Sequence, residues 1–219
     1  MAINPQAPFL PSHLISRQKD LVEIYDESTG MTVNTTPANL IGMPGASTVG
    51  GLYSQTGPGN TVVNTTVETS ILDGGVGSLI VPAYGFQVGD TFEAYFSGQV
   101  SAVNNNTIQF HIHSNSASTV LTDSGAIVMA GATARNWELN IHFVIRAIGP
   151  AGTAQIYTSG AFMYNKDANS NPERHVFSYL NNTTFDTTIQ NQLQVTVQWG
   201  AASTLNSIHS DIFILNKLY

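Results

Sequence analysis

His111 and His113 stand two residues apart in the stretch Thr107 to Ser114. In a β-strand, residues i and i+2 point to the same side. Two neutral imidazoles so placed can ligate one metal ion, as in a cupin-like metal protein. Such a centre needs a third ligand, usually a carboxylate. The sequence does not place one, and His142 has no stated neighbour. Ile108, Phe110 and Ile112 take the apolar side of the same stretch, which leaves the two histidines with Gln109 on the other. The pattern therefore favours a polar outer or inter-subunit face over a metal centre, and no cofactor is expected.

Other reactive groupings are weaker. His209 and Asp211 share a face, but no serine sits in a G-x-S-x-G elbow to serve as their nucleophile. Glu68 with Asp73, or Asp90 with Glu93, has the composition of a glycosidase pair; each reads more simply as surface charge beside a turn. Gly74-Gly75-Val76-Gly77 lacks the Lys-Ser/Thr of a phosphate loop. The chain has no cysteine, which excludes disulfides, thiol catalysis and thiolate metal sites. No catalytic residue is expected. Asn34, Asn64, Asn105, Asn181 and Asn182 fit the N-glycosylation pattern, as chance allows in a chain rich in Asn and Thr. Tyr95, Tyr157, Tyr164 and Tyr179 are candidates to stack on sugar rings, the basis of a lectin-like glycan- or receptor-binding reading.

These residues sit in a chain of unusual surface chemistry. Charged residues make up 10% of 219, against about 25% in ordinary soluble proteins. Asn, Thr, Ser and Gln must supply the polar surface. The formal charge is −7, with seven Lys and Arg and no basic cluster, so nucleic-acid binding and an electrostatic membrane anchor are not expected. No apolar run is long enough for a membrane span. Met1 to Pro11 lacks the basic and then apolar order of a secretory signal peptide, so signal-peptide export is not expected.

The elements that must position these groups are strands. Thr91 to Val103 alternates, with Phe92, Ala94, Phe96, Gly98 and Val100 inward. Asn136 to Ile148 places Trp137, Leu139, Ile141, Phe143 and Ile145 inward. Leu193, Val195, Val197 and Trp199 form another inward row. About ten strands recur at intervals of 8–15 residues with no long helix, which predicts an antiparallel sandwich, jelly roll or barrel over residues 60–219. Residues 1–59 carry six of the nine prolines and a glycine-rich run. They read as an extended N-terminal arm. Within it, a hairpin is predicted from Leu21–Tyr25 and Met31–Val33, and a helical turn over Ser12–Lys19.

The final segment, Leu205 to Tyr219, begins with period-2 alternation and then becomes apolar on both faces at Ile212, Phe213, Ile214 and Leu215. A sandwich strand ordinarily buries one face and wets the other. The second face needs a cover, and a second subunit can supply it. Ile208, Ile212, Phe213, Ile214 and Leu215 are the expected interface residues.

Several spaced motifs are shared with a known group. They include Asn181-Asn182-Thr183-Thr184-Phe185-Asp186-Thr187-Thr188, Gln198-Trp199-Gly200-Ala201-Ala202-Ser203, Asn206-Ser207-Ile208, Ser210-Asp211-Ile212-Phe213 and Leu215-Asn216-Lys217. Upstream lie Gly75-Val76-Gly77-Ser78-Leu79, Pro82-Ala83, Val88-Gly89-Asp90-Thr91, Trp137-Glu138-Leu139 and Ile145-Arg146-Ala147-Ile148-Gly149. Over residues 60–219 the chain resembles a family of virus-encoded β-domains of giant viruses of protists, marseillevirus-like among them, and of marine phages. The resemblance implies a TNF/C1q-like jelly roll, a homotrimer with its last strand near the threefold axis, and a non-enzymatic virion or virion-associated structural role. Other virion proteins and a host surface glycan or receptor are the implied partners. The family offers no catalytic residue to carry over.

Overall fold

The computed structural model describes residues 22–26, 31–35, 50–166 and 171–219. The chain divides into two units, Met1–Thr48 and Val49–Tyr219. In the first, β1 (Val22–Asp26) and β2 (Met31–Thr35) form an antiparallel pair with Asp26 opposite Met31. This is the hairpin predicted from sequence. The helical turn predicted over Ser12–Lys19 lies outside the described residues.

The second unit is all β, with fourteen strands in two antiparallel sheets. In order they are β3 (Gly50–Gln55), β4 (Val62–Val63), β5 (Thr69–Ser70), β6 (Gly75–Gly77), β7 (Ile80–Val81), β8 (Thr91–Ala102) and β9 (Thr107–Ser114). There follow β10 (Ser116–Asp123), β11 (Ile127–Val128), β12 (Ala132–Ala147), β13 (Gln155–Asn165), β14 (Pro172–Asn181), β15 (Asn191–Trp199) and β16 (Ser207–Lys217). Five of these are only two or three residues long, and of the remaining nine all but β3 match the strands legible in the sequence. β3 lies inside the stretch read as arm. It pairs with β16, so the sandwich begins about ten residues earlier than the composition suggests.

The larger sheet runs β14-β13-β12-β8-β16-β3-β6, and the smaller runs β10-β9-β15-β5. The chain crosses between the sheets from β8 to β9, from β11 to β12, from β14 to β15 and from β15 to β16, which makes a sandwich of two antiparallel sheets. The β13–β14 hairpin widens the larger sheet. The core between the sheets holds the alternating rows read from sequence: Phe92, Phe96, Ile108, Phe110, Ile112, Trp137, Leu139, Val195, Val197 and Trp199 are all buried. Aromatic contacts bind it, with Phe96 stacked on Phe213 at 4.1 Å and Phe110 against Phe162 at 4.7 Å.

One side of the sandwich is closed by Asn181, buried at the end of β14. Its Oδ1 accepts the N–H groups of Thr183, Thr184 and Phe185, while its Nδ2 donates to Val120 O on β10. This amide is committed within the fold, so it is no acceptor for a glycan in the folded chain.

A β-bulge decides what β16 shows to each side. Ser210 opposes Gly98 and Ile212 opposes Ser97, so Asp211 is the extra residue. Ile208 and Ser210 face inward before the bulge; Phe213, Leu215 and Lys217 face inward after it. Gly98 lies under the bulge, where a Cβ would collide with the His209 carbonyl oxygen. That same oxygen accepts the Trp137 indole N–H at 3.1 Å. At the strand's end, buried Lys217 pairs with buried Asp90 at 2.7 Å.

Candidate functional site

The outer face of the smaller sheet carries a titratable cluster. β9 turns Ile108, Phe110 and Ile112 into the core, so Gln109, His111 and His113 project outward, as the sequence implies. β15 pairs with β9 so that Gln194, Thr196 and Gln198 stand opposite His113, His111 and Gln109. On the other flank β10 sets Asp123 opposite His111. The segment leading into β5 crosses this face and adds Glu68.

The contacts are close. His113 Nε2 lies 3.0 Å from Glu68 Oε1, and the Thr196 hydroxyl donates to that same oxygen at 2.5 Å. His111 Nδ1 lies 2.8 Å from Asp123 Oδ2. Gln109 Nε2 donates to both Asp123 oxygens, and the Gly125 N–H donates to Oδ1 at 2.6 Å. The two imidazole rings are nearly parallel, 5.8 Å apart. Burial alone would push the Glu68 carboxyl up. The Thr196 hydroxyl and the two imidazoles outweigh it and hold the group below its ordinary value. Glu68, His111 and His113 each offer a donor atom within 4.8 Å of the others, so a carboxylate joins the histidine pair. Sequence reasoning had no signal for it: Glu68 is 45 residues from His113 and is brought over only by the β5–β15 pairing.

The outer face of the larger sheet is different. Ile214, Tyr95, Asn140, Ala161 and Val176 lie in one cross-strand row, and Ile212, Ser97, Glu138 and Met163 in the next. Cross-strand partners share a face, so Ile212, Ile214 and Tyr95 form an apolar group on inner strands of the sheet. Ile212 is 45% exposed and Val176 71%. Of the five residues expected at a subunit interface, Ile208, Phe213 and Leu215 instead belong to the chain's own core; the bulge at Asp211 sends only Ile212 and Ile214 outward.

The four tyrosines do not form one platform. Tyr164 is buried, its oxygen accepting the Ala130 N–H at 2.8 Å and its hydroxyl donating to Glu173. This corrects its reading as a sugar-stacking residue: its cross-strand partner is Trp137, a core residue. Tyr157 faces outward with the Arg146 guanidinium over its ring at 4.3 Å. Tyr179 pairs with inward-facing Thr158 and so lies on the opposite side from Tyr157. Tyr95 stands beside Ile214. The carboxylates weighed as a glycosidase pair are engaged elsewhere, Asp90 by Lys217 and Glu93 by Asn140 at 3.0 Å. His209 and Asp211 approach to 3.4 Å at the surface.

No protein-family model matches the chain, and no curated protein matches it. The fold and the face chemistry define an antiparallel β-sandwich with a histidine–carboxylate cluster on one outer face and, on the other, an apolar group of Ile212, Ile214 and Tyr95 set among polar residues.

Proposed function

We propose that this chain is a non-enzymatic structural module of a virus particle. In this reading it is a TNF/C1q-like homotrimer that decorates the capsid surface or heads a fibre. The observation that carries it is the outward turn of Ile212 and Ile214 at the Asp211 bulge, beside Tyr95, on inner strands of the larger sheet. An apolar group turned to the outside of the sheet asks for a covering surface. Each large apolar side chain that a neighbour buries fully contributes about 1.5–3 kcal/mol. The low charge of the chain supports close packing of copies, and the family resemblance over residues 60–219 supports the virion setting. Other virion proteins are the further partners of this reading. A host surface glycan or receptor is a second ligand class, for which Tyr95 and Tyr157 are the outward-facing aromatics.

Light scattering coupled to size exclusion tests the assembly. The expected mass is about three times 23.4 kDa, and Ile212→Asp with Ile214→Asp is expected to return it to one chain without loss of β-structure. A wild-type chain that runs as a folded monomer at every concentration overturns the trimer.

A further inference from the structure

The face of the smaller sheet holds an arrangement that the structural role does not use. His111 Nδ1 faces an Asp123 carboxylate fixed by Gln109 and the Gly125 N–H. A carboxylate can only accept, so the Nδ1 proton points at Asp123 and the Nε2 lone pair points the other way. There it meets the Gln198 Oε1 at 3.4 Å. The Gln198 amide is not free to turn over, because its Nε2 donates to the Thr66 carbonyl at 2.9 Å. Two lone pairs thus face each other, with Glu68 and His113 alongside. A proton on Nε2 or a bound metal ion reconciles them, and the donors gathered around Nε2 suit the second.

We infer that Glu68, His111 and His113 form a binding site for a zinc-class divalent metal ion, with the Gln198 carbonyl oxygen as a further donor. Two imidazoles and one carboxylate, with no thiolate, are a zinc donor set. The Asp123–His111 pair is the carboxylate–imidazole contact that orients a metal-bound histidine. Zinc needs its ligands about 2.1 Å away. The present donors are within 4.8 Å of one another and must draw in by about an ångström. The Glu68 side chain is one-third exposed, which lets it swing and leaves a solvent-facing side for water. His113 is the weaker histidine: its Nδ1 has no hydrogen-bond partner among the described residues. Once Nε2 binds metal, the proton moved to Nδ1 finds no acceptor.

The bound ion would tie the segment before β5 to β9. That segment is otherwise held by a strand of two residues, paired at Thr69–Val197 and Ser70–Thr196, and by side-chain hydrogen bonds such as Gln198 Nε2 to the Thr66 carbonyl. Metal binding is therefore expected to raise the unfolding temperature of the whole sandwich by linkage.

The test is isothermal titration of the full, untagged chain with zinc chloride after chelator treatment, paired with a melting curve. One zinc per chain and a zinc-dependent rise in melting temperature are expected, with no such rise from magnesium. His111→Gln and Glu68→Gln are each expected to weaken binding at least 10-fold. Asp123→Asn, which touches no metal, is expected to weaken it by about 10–100-fold. Circular dichroism without metal establishes that each variant is folded, and the wild-type stoichiometry stands whatever the variants do. Absence of saturable zinc binding to the wild type overturns the site. So does binding that folded His111→Gln and Glu68→Gln leave unchanged, which would move the ion to another histidine, such as His209 beside Asp211.

Discussion

The two outer faces of the sandwich are built from the same alternation and have opposite chemistry. On the smaller sheet, β9 and β15 turn out Gln109, His111, His113, Thr196 and Gln198, and nearly every donor finds an acceptor. On the larger sheet, β8 and β16 turn out Tyr95, Ile212 and Ile214. The first face is covered by the chain itself, through the segment that brings Glu68. The second has no such cover among the described residues, and Ile212 is 45% exposed. Strand period alone does not make this difference. On β9 the alternation is unbroken, so its polar residues stay together on one side. On β16 a single extra residue switches the parity, so Phe213 and Leu215 face the core and Ile212 and Ile214 face out, the reverse of what the alternation through Ile208 and Ser210 would give.

Adding a second extra residue to the strand tests the distinction most severely. Deleting Asp211 would leave the pairs Ser210–Gly98, Ile212–Ser97 and Phe213–Phe96 in place, whereas inserting one alanine after Ile212 sends Phe213, Leu215 and Lys217 outward unless the strand slips. Exposing Phe213 and Leu215 costs about 1.5–3 kcal/mol each, and Lys217 also leaves buried Asp90 unpaired. The expected loss in urea unfolding is therefore several kcal/mol, on the order of the chain's whole stability. An insertion variant as stable as the wild type would mean that the parity set at the bulge is not what sorts the two sides of β16.

Phe213→Ala and Ile212→Ala sharpen the same point at neighbouring positions. Phe213 is buried and stacked on Phe96, so its truncation is expected to cost about 3–5 kcal/mol. Ile212 is half exposed, so its truncation in the isolated chain is expected to cost about 0.5 kcal/mol or less. The pair is measured by denaturant unfolding at dilutions where the chain is monomeric. Equal losses would place both side chains on one face.

The inward rows of β8, β9, β12 and β15 were legible in the sequence because each carries three to five apolar residues at strict period two. The two histidines were correctly placed outward for the same reason. β16 misled because a bulge leaves no local mark: Asp211 is an ordinary outward residue until Gly98 and Ser97 are known to pair with Ser210 and Ile212 on either side of it. Thr61 to Leu72 is Val/Thr-rich yet forms strand only at two-residue β4 and β5, since propensity does not report where pairing stops. Glu68 and Asp123 were invisible as companions of His111 and His113 because the contacts form only through pairing across strands. Tyr164 was taken for a surface aromatic although its strand alternation puts it in register with Trp137.

Tyr164 offers the finest test, since its oxygen is the only polar atom that ties this part of the core to the Ala130 backbone among the contacts described. Burial pushes its phenol up from the usual tyrosine value. The Ala130 N–H opposes that shift, and the neighbouring Glu173 charge adds to it. A group whose pKa is higher folded than unfolded gives stability that is fully present below the unfolded value near 10.0, and that stability is lost as pH rises through the folded value. Tyr164→Phe removes this alkaline loss. It also leaves the Ala130 N–H without its acceptor, at a cost of about 1–3 kcal/mol at neutral pH. The variant is thus expected to be less stable than wild type at pH 7 and to close the gap above pH 10, as read from urea midpoints across that range. A gap that stays constant with pH would show that the phenol is not titrating in the fold, and that Tyr164 is held by packing against Phe162 alone.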